Sequence, residues 1–66
     1  MDQQGLNKAN ELMNQKDQVI NFKRLLEEVV ERNELGLNEG EIHEVNSLIS
    51  ILNGKIISIE NEFNNL

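Results

Sequence analysis

At 66 residues the chain has room for one small domain, which rarely buries enough apolar surface to offset its conformational entropy without a staple. It has no cysteine and a single histidine, which excludes a disulfide framework and thiolate or histidine-rich metal sites and leaves association as the remaining staple. The net charge of −6 argues against nucleic acid as a direct partner, and no run of ~18 apolar residues offers a membrane span.

From Met1 to Gly5 there is no basic region followed by an apolar stretch, so no secretion signal is visible and a cytoplasmic location is expected. Residues 1–6 are expected to be flexible. Helix one is expected over about residues 7–35. Its seam reads Leu12, Gln15, Val19, Phe22, Leu26, Val29 and Asn33, with Met13, Ile20, Leu25 and Val30 widening the apolar stripe. Gln15 and Asn33 are polar members of that seam. They fix register by demanding hydrogen-bond partners, or they sit at frayed edges of the core; the sequence leaves both open.

The hinge is expected at residues 36–38. Gly36 suits the left-handed conformation that closes a helix. Asn38 is placed to cap helix two, and Glu41 three residues on completes a capping box. Leu37 before the cap and Ile42 at the fourth helical position make a hydrophobic staple. So short a connection makes the two helices antiparallel neighbours.

Helix two is expected over about residues 39–65. Ile42, Val45, Ile49, Leu52, Ile56, Ile59, Phe63 and Leu66 follow one another at alternating spacings of three and four, a heptad stripe built to meet another helix. A rival signal crosses it: Asn53-Gly54 is a strong β-hairpin turn, flanked by Ile-rich segments. The flanks do not alternate cleanly, and the heptad passes through the dipeptide without a phase shift, so periodicity favours a continuous helix. Leu48, Ile51 and Ile57 fall off the stripe, and isoleucine at both seam positions leans toward bundles of more than two helices. The expected fold is all-α: an antiparallel two-helix hairpin that associates into a four-helix bundle, most simply a homodimer.

Little chemistry is legible. His43 and Ser47 share a helix face one turn apart, but no third group orients the histidine and no oxyanion site accompanies it. The Glu-x-x-His pattern of carboxylate metal sites fails, because Gly40 stands three residues before His43. Gly36 and Gly40 lack phosphate-loop spacing. No catalytic residue, metal or cofactor is therefore expected. Charge is more informative. Residues 27–44 hold seven glutamates against Arg32 alone, so this segment carries the whole net charge of −6. Glu27, Glu28, Glu31, Glu34, Glu39 and Glu44 form a candidate docking surface for a basic partner, where charge speeds encounter and selects partners. The same asymmetry favours antiparallel pairing of hairpins, which keeps the acidic hinge ends apart.

The stretch Gly36-Leu37-Asn38-Glu39-Gly40-Glu41-Ile42-His43-Glu44-Val45, extending ungapped to about Leu52, resembles the small sporulation-regulating aspartyl-phosphate phosphatases of spore-forming bacteria. Those are short antiparallel helical hairpins that dephosphorylate a response regulator. Their Ser-Gln-Glu-Leu-Asp signature falls on Asn46-Ser47-Leu48-Ile49-Ser50, where only Ile49 is preserved in kind. Ser50 stands where the family's active aspartate would be, so the resemblance implies a catalytically silent relative that still binds a regulator. The expectation from the residues themselves is a non-enzymatic interaction module. It self-associates through the heptad helices and binds a larger protein as a small acidic regulator or inhibitor. A purely structural assembly part is the alternative.

Overall fold

The computed structural model describes residues 3–66. It contains two helices, α1 (Gln3–Arg32) and α2 (Glu39–Asn64), folded back on each other as a hairpin. The molecule is a slab of 50 × 16 × 11 Å, two helices wide and one helix thick. Its long axis matches α1, since 30 residues of helix span about 45 Å. Among the expected flexible residues, 3–6 belong to α1, while residues 1 and 2 lie outside the described residues.

The hinge begins earlier than the sequence suggests. α1 stops at Arg32, and Asn33 takes the left-handed conformation, φ 48°, that was expected of Gly36. Its amide donates to the Val29 carbonyl at 2.9 Å. Its side chain then grips the outgoing strand of the loop: Leu37 N–H donates to Asn33 Oδ1 at 2.7 Å, and Asn33 Nδ2 donates to the Leu37 carbonyl at 3.4 Å. Asparagine tolerates left-handed backbone because its short amide can bond locally, which compensates the steric cost. Gly36 supplies a second left-handed turn, φ 67°, and its amide donates to the Asn33 carbonyl at 3.1 Å. The connection is therefore residues 33–38, and neither alternative for Asn33 in the core applies: it is the helix stop.

α2 starts as its sequence predicts. Glu41 N–H donates to Asn38 Oδ1 at 2.8 Å, and Asn38 N–H donates to Glu41 Oε1 at 3.1 Å, which completes the capping box. Leu37 and Ile42, the two halves of the staple, are both half-buried. The helix runs without a break through Asn53-Gly54, and no strand exists among the described residues. A Cβ built on Gly54 would meet nothing within 4 Å, so the glycine answers to no neighbour.

Six of the eight ladder residues face α1. Ile42, Val45, Ile49, Leu52 and Ile56 are half-buried and Ile59 is buried. Phe63 and Leu66 stay exposed at the open end, where the slab has no second layer to cover a large side chain. On α1 the inward stripe is Ala9, Leu12, Lys16, Val19, Lys23, Leu26 and Val30. Leu12, Val19 and Leu26 were expected there, and Val29 is half-buried at the stripe's edge. Phe22 was expected too, but it is 51% exposed, and Gln15 bonds outward to Glu11 at 3.5 Å. The stripe is rotated so that lysines take those two turns. Their methylene stems lie along apolar surface while their ammonium groups reach water, and Lys16 Nζ meets Glu60 Oε1 across the hairpin at 3.5 Å. That ion pair is half-exposed and contributes no more than about 1 kcal/mol.

Candidate protein-binding surfaces

Only Ala9, Leu12 and Ile59 are buried among the described residues, and of these only Leu12 is fully so. Ten large apolar side chains remain exposed, including Leu25 at 60%, Ile51 at 64% and Ile57 at 58%. Scattered surface apolar residues are ordinary, but contiguous ones mark contact surfaces. Their distribution over the slab's two broad faces therefore matters.

One broad face is marked by a shallow cleft over the seam residues Val19 and Ile59, lined by Gln15, Gln18, Lys55, Ser58 and Glu62. Positions seven apart share a helix face. The face therefore continues along α1 from Gln15 and Gln18 to Phe22, Leu25 and Val29. Along α2 it runs back from Lys55 to Ile51, Leu48 and Glu44. Lys16 meets Glu60, and Glu27 and Glu31 line a cleft with Asn46 and Ile49, so Phe22–Val29 stands beside Leu48–Ile51. The five apolar residues Phe22, Leu25, Val29, Leu48 and Ile51 make one patch in the hinge-side half of this face.

The opposite broad face carries a different set. A cleft near the open end is lined by Met13, Lys16, Glu60, Phe63 and Asn64 over Leu12 and Ile59. Leu6 and Ile20 lie one heptad either side of Met13, and Ile57 lies one heptad before Asn64, so these join the same face. Toward the hinge this face turns acidic, at Glu27 and Glu31.

All six candidate acidic residues are exposed, as their positions off the seam require. They do not form one cluster. Glu27 and Glu31 line one broad face. Glu28 and Glu34 line a shallow cleft behind α1 with Leu25, Val29, Arg32 and Leu35, where Arg32 and Glu34 approach to 3.9 Å. Glu44 belongs to the first broad face, one turn beyond Leu48. Glu39 sits in the first turn of α2, where negative charge meets the positive end of the helix dipole. Glu41 is committed to the cap.

The remaining polar groups do structural work. Ser47 Oγ donates to the His43 carbonyl at 3.1 Å, so this hydroxyl bonds to its own helix and not to the imidazole. Ser50 is exposed on the surface of α2. Among the described residues no three His, Asp or Glu side chains converge closely enough to hold a metal ion, and no helix is long and apolar enough to cross a membrane. No protein-family model, curated protein or solved structure matches this chain. Sequence reasoning found the surplus apolar residues and the glutamates, but it missed their division between faces. That division follows from the rotation of the α1 stripe, which hydropathy misreads because it scores Lys16 and Lys23 as purely polar.

Proposed function

We propose that this chain is a non-enzymatic interaction module, a small acidic regulator or inhibitor that self-associates and occupies a basic site on a larger protein. The observation that carries the reading is the imbalance of the hairpin, with ten large apolar side chains exposed against three buried residues among the described residues. So small a buried core falls short of the entropy cost of ordering the chain, and covering the exposed residues with another chain closes the gap. A groove on a nucleic-acid-binding protein is one basic site that such a chain fits.

The acidity supports the second half of the reading. Glu31 stands in the last turn of α1, where negative charge opposes the helix dipole and costs a few tenths of a kcal/mol, and Glu27 and Glu28 stand one turn before it. Charges held against the fold's own preference are most simply held for a partner. The test is the reversal Glu27→Lys, Glu31→Lys and Glu34→Lys in one chain whose helicity is checked by circular dichroism. At physiological salt, proteins retained by the wild-type chain should be lost by the reversed one. Equal retention by both would move the reading to a structural assembly part. Reproducible turnover of an aspartyl phosphate by the purified chain would overturn the non-enzymatic reading altogether.

A further inference from the structure

We propose that a second copy of this chain covers the Phe22–Leu25–Val29–Leu48–Ile51 face, in an antiparallel dimer. The two-fold axis crosses between Leu48 and Ile51 on α2 and between Leu25 and Leu26 on α1. This rests on the self-association reading above and deepens it by naming the face and the sense.

Self-complementarity about that axis is the argument. An isologous contact requires each residue to meet the residue equidistant on the other side of the axis. On α2 the outward row is Glu44, Leu48, Ile51 and Lys55, at spacings of four, three and four. Reversed on itself, the row sets Leu48 against Ile51 of the second copy and Glu44 against its Lys55. On α1 the same operation sets Phe22 against Val29. Apolar residues therefore meet apolar ones, and each end of the α2 row meets its opposite charge. Both helices point independently to one axis, because Phe22–Val29 stands beside Leu48–Ile51 in the hairpin.

Charge selects this sense over the other one a flat face permits. With hinge ends together, the −6 of residues 27–44 would face another −6. Turned end for end, the acidic segments lie on opposite sides of the axis, and Glu44 meets Lys55 of the second copy. A broad face of the slab is the largest surface that a second copy can cover.

The experiment is sedimentation equilibrium with light scattering over a concentration series, with helicity measured on each sample. The wild-type chain should be a dimer. Ile51→Glu should shift it to monomer, while Ile57→Glu, an isoleucine of similar exposure on the other face, should leave it dimeric. Glu44→Lys should raise the dissociation constant about tenfold at low salt, as two attractive pairs become repulsive. Adding Lys55→Glu to the same chain should restore it. A monomeric wild type would overturn both this dimer and the self-association reading. A dimer broken by Ile57→Glu and not by Ile51→Glu would overturn the face alone. A Glu44→Lys chain that dimerises as well as or better than wild type would overturn the antiparallel sense.

Discussion

At Asn33 one side chain performs three tasks that usually take separate residues. It accepts left-handed backbone at φ 48°, ends α1, and holds both the amide and the carbonyl of Leu37. Asn33→Ala removes both loop bonds and leaves a Cβ in that conformation without the local hydrogen bonds that compensate it. The expected loss is about 1–2 kcal/mol, measured by urea denaturation at fixed protein concentration. Asn33→Gly should lose less, because glycine takes the backbone freely and forfeits only the bonds. Equal stability of Asn33→Ala and wild type would mean the loop is held by Gly36 and the Asn38 cap alone. Gly54 is the contrary case, a glycine in mid-helix with open space at its Cβ. Gly54→Ala should stabilise by about 0.5–1 kcal/mol through reduced backbone entropy of the unfolded chain, read in the same denaturation. A lowered midpoint would mean that a side chain at Gly54 collides with a second chain.

The two helices differ in how far their sequences declare them. α2 has one dense stripe of isoleucine and leucine, and the capping box writes its first residue, so its start, its inward face and its passage through Asn53-Gly54 were all legible. α1 has apolar residues pointing in three directions. Two stripes share Leu12, Val19 and Leu26, and they differ in whether Gln15, Phe22 and Val29 or Lys16, Lys23 and Val30 fill the alternate turns. Counting hydropathy chooses the phenylalanine, whereas the fold chooses the lysines, whose stems serve as apolar cover at the edge of a thin slab. The stop of α1 was misplaced for a related reason: Gly36 is the stronger generic signal, but Asn33 reaches Leu37 and Gly36 has no side chain to do so. The α1 assignment has a direct test. Lys23→Leu places an apolar side chain in the half-buried stripe and should stabilise the hairpin by about 1 kcal/mol, whereas Gln15→Leu, on the outer surface, should change it little. The reverse order in thermal denaturation would restore the stripe that sequence alone suggested.

For the whole molecule, the acidic end is a cost to the fold and an asset to recognition, and the two roles can be separated. Seven glutamates within residues 27–44 repel one another, and those at the end of α1 oppose its dipole. All are exposed, so added salt should screen the repulsion. In the antiparallel dimer Glu44 is taken up by Lys55 of the second copy, while Glu27 and Glu31 remain on the outer face of each hairpin. The melting temperature at fixed protein concentration should therefore rise by a few degrees between about 0.02 and 0.5 M sodium chloride. A chain carrying Glu27→Gln, Glu31→Gln and Glu34→Gln should melt higher at low salt and respond less to added salt, while losing capture of the basic partner. Were the melting temperature instead to fall with salt, the attractive pairs, Lys16–Glu60 and the intermolecular Glu44–Lys55, would outweigh the repulsion. The acidic end would then be a stabilising feature of the dimer, and the case for a partner resting on its cost to the fold would be lost.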